Sequence, residues 1–126
     1  MPKPEHEFFS VENIAFTPCA GMVASLRERI LAADTDSGTG VATRILNFAP
    51  GTDTTPNGEQ THDFWEEVYI LEGAITDLRL GETFSAGSYA CRPPGMPHGP
   101  WASPDGCLTF EVRYQGSESS TTSRDS

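Results

Sequence analysis

The chain has 126 residues, with eight lysines and arginines against eighteen aspartates and glutamates, a formal charge of −10 with histidine neutral. That length makes one domain with a single core that needs no disulfide or metal staple, and the acidic excess repels phosphate backbones and anionic lipid, which argues against nucleic acid and membrane as partners. Cys19, Cys91 and Cys107 are odd in number, widely spaced and form no C-x-x-C pair, so a reducing cytoplasm is the expected compartment rather than one that supports a disulfide framework. The opening Met-Pro-Lys-Pro-Glu-His-Glu lacks the basic-then-apolar pattern of a signal peptide. No window approaches the roughly 18 continuous apolar residues of a membrane span.

Taken in chain order, the signals are those of short strands bounded by turn residues. Phe8, Phe9 and Val11 can pair as an extended segment near the N-terminus. Leu26–Leu31 and Val41–Phe48 flank the hairpin-like loop Asp34-Thr35-Asp36-Ser37-Gly38-Thr39-Gly40, and Pro50-Gly51 ends the second run. Trp65–Leu71 stops at Glu72-Gly73, and Ala74–Leu80 stops at Gly81. Tyr89–Arg92 lies between Ala86-Gly87-Ser88 and Pro93-Pro94-Gly95. In Leu108–Tyr114 the apolar Leu108, Phe110, Val112 and Tyr114 alternate with Thr109, Glu111 and Arg113. Even spacing, with ten prolines and twelve glycines, favours an all-β barrel or sandwich over an α/β layout. Residues 116–126 carry nothing to bury and read as a flexible polar tail. Val68 and Ile70 share one face of their strand and Tyr69 and Leu71 the other. A strand apolar on both sides is covered on both, here by the N-terminal segment or a second subunit, which argues for a homodimer.

Gln60, His62, Glu66 and His98 carry the chemistry. Two neutral imidazoles and a carboxylate suit a mid-row divalent metal with positions left open. Gln60, His62 and Glu66 share strand parity, but an extended run from His62 to Glu66 spans about 13 Å, too far to grip one ion. The chain must therefore bend near Asp63–Trp65, and His98 must enter from a neighbouring strand, placed by the Pro93-Pro94-Gly95 turn. Glu67, one position on, should face outward.

These residues resemble the cupins, whose first motif reads G-x5-H-x-H-x3-E-x6-G and whose second reads G-x5-P-x-G-x2-H-x3-N. Counting back from Gly73, Glu66 falls on the motif glutamate, His62 on the second histidine and Gln60 in place of the first. The leading glycine is Thr54 here. The second motif fits at Gly87, Pro93, Gly95 and His98 and departs at Ala102. The resemblance implies a single-domain, all-β cupin barrel (a double-stranded β-helix, jelly-roll-like) over residues 1–115 with its core at about 26–114.

More narrowly, Trp65-Glu66-Glu67-Val68-Tyr69-Ile70-Leu71-Glu72-Gly73, Arg92-Pro93-Pro94-Gly95 and Pro104-Asp105-Gly106-Cys107 are similar to a subgroup holding the zinc-binding cupin halves of anti-sigma factors and small dioxygenases that cleave diketones and dihydroxyacetophenones. The N-terminal sigma-binding region of the former is longer than this chain allows. The resemblance implies one divalent ion, Fe(II) or Zn(II), with Mn(II) or Ni(II) as variants, held by His62, Glu66 and His98. Gln60 either coordinates, holds a metal-bound water or lines the pocket. Two function classes follow. One is a dioxygenase acting on a small β-dicarbonyl or aromatic ketone-like substrate, with Glu66 catalytic and Phe64, Arg79, Tyr89 and Phe110 as substrate-binding candidates, or a related isomerase, cyclase or lyase. The other is a non-catalytic zinc-binding sensor or ligand-binding module. Cys91 is expected to be structural.

Overall fold

The structure, a computed structural model, describes residues 3–35 and 38–116. The proposed tail from 117 onward, and Asp36 and Ser37 of the first loop, lie outside the described residues. Nine strands form one strongly curled antiparallel sheet: β1 (Thr17–Pro18), β2 (Leu26–Ala33), β3 (Ala42–Phe48), β4 (Thr52–Asp53), β5 (Trp65–Asp77), β6 (Glu82–Ser85), β7 (Tyr89–Arg92), β8 (Trp101–Ser103) and β9 (Cys107–Tyr114). The path runs β1-β2-β3-β9-β5-β8-β4, with β6 and β7 also paired to β5. Two 3-10 turns, Val11–Asn13 and Thr55–Asn57, are the helical elements among the described residues. No helix is long and apolar enough to cross a membrane.

The thirteen-residue β5 organises the barrel. Its first half lies between β9 and β7, and its second half between β6 and β8. The expected break at Glu72-Gly73 does not occur. Instead the β5–β9 register slips between Ile70 and Glu72, leaving Leu71 as an extra residue. The physical reason is parity. Glu66 and Ile70 are buried before the bulge, and Ile75 and Asp77 after it, so the extra residue keeps Glu72 out and Ile75 in. Gly73 makes this possible: its φ is +78°, and a Cβ there would collide with the carbonyl oxygen of Gly106. The strand then ends at Asp77, whose Oδ1 accepts hydrogen bonds from the backbone N–H groups of Arg79 and Leu80.

Leu46, Phe48, Ile70, Ile75 and Cys107 form the buried apolar cluster, with Leu26, Phe84 and Trp101 packed on it. The last strand corrects an expectation drawn from its pattern. Its buried residues are Cys107, Thr109 and Glu111, in phase with Arg113, so Phe110 and its apolar neighbours face outward. The N-terminal segment forms no strand at Phe8–Val11. It crosses β2 and β3, where Lys3 donates to Thr43 Oγ1 and Arg29 to the Ile14 carbonyl. Tyr69 and Leu71 therefore stay exposed, at 45% and 43%.

Replacing Gly73 with alanine should cost about 2 kcal/mol or more of folding stability, through the strained φ and the clash at the bulge. Urea unfolding measures it; a loss below about 0.5 kcal/mol, typical of a neutral surface change, would show that the bulge tolerates a side chain.

Candidate metal centre

The interior of the barrel is a cavity of about 550 Å³. Its wall carries the expected triad: one ligand atom each from His62, Glu66 and His98 lie within 4.8 Å of one another. The chain bends at Asp63-Phe64 before β5 begins, as the spacing required. A two-way backbone pairing of Gln60 with His98, at 2.8 and 2.9 Å, and a bond from Gly95 N to the His62 carbonyl bring the two motifs together.

Local packing aims each donor. The His98 ring nitrogen Nδ1 lies 3.2 Å from the Met96 carbonyl. Donating there leaves the lone pair on Nε2, which stands 3.8 Å from Glu66 Oε1. The His62 ring stacks on Phe64 at 4.5 Å and meets the His98 ring at 4.8 Å. Arg113 lies over the Phe64 ring, its guanidinium carbon 4.8 Å from the ring centroid.

Glu66 is only 4% exposed and sits in a cross-strand row, directly opposite Arg92 on β7 and Arg113 on β9. Arg113 Nε donates to Oε2 at 2.8 Å, Arg92 donates to Oε1 at 3.3 Å, and Arg44 approaches Oε2 at 4.0 Å. Arg44 is itself bonded to Glu28 at 2.6 Å and Glu111 at 2.9 Å. Burial alone would raise the Glu66 carboxyl, but the charge and hydrogen bond of Arg113 outweigh it and hold the group below its ordinary value. Burial lowers both histidines, with the positive charge of Arg92 adding at His98; His62 falls to about 4. Deep burial raises the Glu111 carboxyl. At neutral pH the triad is thus two neutral imidazoles and one carboxylate, the protonation states a divalent cation requires.

The other candidates divide. Gln60 lines the cavity, and its Nε2 donates to the Asn57 carbonyl at 2.6 Å. Arg79 stands at the cavity mouth, paired with Glu59 at 3.4 Å. Phe64 is not on the main cavity wall; it is buried behind His62, where it fixes the imidazole. Tyr89 borders the cavity but is 60% exposed, and its hydroxyl, like that of Tyr114, bonds Glu67 on the outer face. Phe110 pairs with Tyr69 on that outer face, so the inward role expected of it is corrected by the parity of β9. Glu67 faces outward as expected. The interior arginines and acids Arg44, Arg92, Arg113, Glu28 and Glu111 had not been singled out. Their signal was available: Glu111 and Arg113 alternate with apolar residues whose face need not be the inner one.

Nine curled antiparallel strands around a cavity, with two histidines and a glutamate converging from two motifs, define a cupin. The chain belongs to the ChrR cupin-like domain family, whose model matches residues 5–116. Among solved structures it is similar to an RmlC-like cupin from Shewanella frigidimarina, with TM-score 0.67, 20% identity, and coverage of 94% of this chain and 98% of that one. It is also similar to an acetylacetone dioxygenase from Acinetobacter johnsonii, with TM-score 0.65, 18% identity and coverage of 90% and 76%. The anti-sigma factor ChrR, in its complex with SigE from Rhodobacter sphaeroides, aligns with TM-score 0.58 and 18% identity over 83% of this chain and 52% of that one. No curated protein matches the sequence.

In metal-free protein the His62 ring should titrate near pH 4, well below the ordinary 6.5. The unfolded chain binds that proton more readily, so His62 contributes stability that is present above pH 6.5 and lost as pH falls toward 4. Imidazole proton shifts followed by NMR give the midpoint; a value near 6.5 would mean an exposed ring.

Proposed function

We propose that the protein is a metal-dependent enzyme, a dioxygenase acting on a small β-dicarbonyl or aromatic ketone-like substrate, with one Fe(II) ion at His62, Glu66 and His98. The observation that carries this reading is the triad itself, three donors in suitable protonation states on the wall of an accessible cavity. Three protein ligands leave open positions for a substrate oxygen and dioxygen. When bound, the ion supplies Lewis-acid activation of a carbonyl and, as iron, the redox chemistry that dioxygen requires. The chain's own residues do the rest. Arg113 holds Glu66 Oε2 and turns Oε1 toward the histidines. Val68, Ile70, Leu46 and Trp101 furnish apolar walls that exclude water around a flat, small ligand. The likeness to an acetylacetone dioxygenase favours this substrate class by analogy of fold.

A second reading is a zinc-binding sensor or ligand-binding module. Gln60 favours it: with Nε2 committed to Asn57, its oxygen is available as a fourth ligand, and four protein ligands close a zinc site. A cyclase, isomerase or lyase using Zn(II), Mn(II) or Ni(II) would use the same ligands, and a polyketide cyclase, RemF from Streptomyces resistomycificus, shares the fold at TM-score 0.66 and 19% identity. The unpaired Cys19, Cys91 and Cys107 agree with a cytoplasmic location. The exposed Tyr69, Leu71 and Tyr89 on the outer face of β5 and β7 suit a homodimer contact.

Protein purified without chelator and analysed for metals, then loaded with Fe(II), should consume oxygen when β-diketones are added. Stoichiometric zinc with no uptake would instead select the module. His98→Ala should lower retained metal by about tenfold or more while leaving a folded barrel; unchanged metal content would refute the ligand set. For the dimer, sedimentation equilibrium should give twice the monomer mass for the wild type and the monomer mass for Tyr69→Glu; a monomeric wild type would end that proposal.

A further inference from the structure

The charges around the cavity say what kind of ligand it takes, given the metal reading above. Four arginines and four acids line it, so its formal charge is zero with the histidines neutral. A divalent ion would leave the cavity with an excess of two positive charges, set among partly buried side chains. Such an excess is costly unless the ligand returns negative charge.

The arginines are not equivalent. Arg44 is braced by Glu28 and Glu111, and Arg113 by the Oε2 oxygen of Glu66. Arg79 is 40% exposed at the mouth and paired with Glu59, where solvent screens it. Arg92 differs from all three. Its side chain is 12% exposed, and its one carboxylate contact among the described residues is Glu66 Oε1, at a long 3.3 Å. That oxygen is also the one nearest His98 Nε2, hence the one an ion would draw on. Metal and Arg92 would therefore share a single oxygen, and an ion drawing on it weakens an already long hydrogen bond. Arg92 is then left with that weakened contact and the face of Trp101, 5.2 Å from its guanidinium carbon, a largely buried cation on the cavity wall with its other donors uncommitted to any carboxylate among the described residues.

We infer that Arg92 is the anion-receiving residue of this cavity, and that the natural ligand is an oxo compound bearing a carboxylate or equivalent anionic oxygen next to its metal-binding carbonyl. The planar fork of the guanidinium matches a carboxylate in two parallel hydrogen bonds, and the Trp101 ring fixes its plane. This assignment moves the anion anchor from the mouth, where Arg79 stands, to the floor of the site. It also makes charge the selective feature within the β-dicarbonyl class.

The test uses Zn(II)-loaded protein and two probes of equal size and shape, acetoacetate and its uncharged counterpart acetoacetamide, with affinity measured by calorimetry. The wild type should prefer acetoacetate by about tenfold or more, the scale of a charge-assisted hydrogen bond. Arg92→Met should lose most of that preference while retaining a full equivalent of zinc, and Arg92→Lys, which keeps the charge without the fork, should fall between them. Zinc content and thermal melting of both variants verify that fold and metal site survive, and the lysine variant serves if the methionine variant folds poorly. An undiminished preference in zinc-replete variants means that the metal alone selects the anion and overturns the role of Arg92. Failure of the wild type to retain zinc or iron overturns the metal reading itself, a distinct outcome visible before any probe is added.

Discussion

A carboxylate can serve as a metal ligand inside a barrel only if it stays ionised there, and burial opposes that. In this protein the opposition is met by a cross-strand row in which Glu66 stands between Arg92 and Arg113, with Arg44 completing the cage. The arrangement explains several features together. It accounts for the polar face of β9 turning inward, since Glu111 and Arg113 are needed to balance Glu66 and Arg44. It accounts for the position of Phe64, wedged between an imidazole and a guanidinium. It also means that the site has its donors in the right protonation states before any ion arrives.

Buried ion pairs are weak evidence of stability, because desolvation cancels much of their attraction. Their presence on the wall of a cavity points to preparation of a site. Function and core meet in one cavity, whose wall includes Leu46, Phe48, Ile70 and Ile75 beside the charged groups. The apolar cluster gathers around the second half of β5, while the charged lattice occupies the first half, where β7 and β9 flank it.

Much of this was legible in the residues, and the reason is that metal ligation imposes spacing. The bend between His62 and Glu66 followed from strand rise alone, and Tyr89–Arg92 was bounded by its turns. The divided roles of Glu66 and Glu67 followed from parity. What could not be read was which face of β9 looks inward, because a strand lining a charged cavity inverts the usual rule that the apolar side is the inner one. Phe110 was misplaced for that reason. Tyr89 borders the cavity, but its hydroxyl goes to Glu67 because it shares phase with Glu67 rather than Glu66, a relation fixed by cross-strand register. The bulge at Leu71 was equally hidden, since Glu72-Gly73 has the composition of a turn and only the packing against Gly106 shows it to be a kink in a continuing strand.

That β5 continues has a consequence for how the molecule comes apart. One unbroken segment supplies hydrogen bonds to four other strands and crosses from the charged region to the apolar one. Neither region can loosen without dragging the other through shared backbone. The protein should melt as a single cooperative unit, and amide exchange along Trp65–Asp77 should be limited by global opening, so that any ligand tightening the cavity protects the whole length of β5.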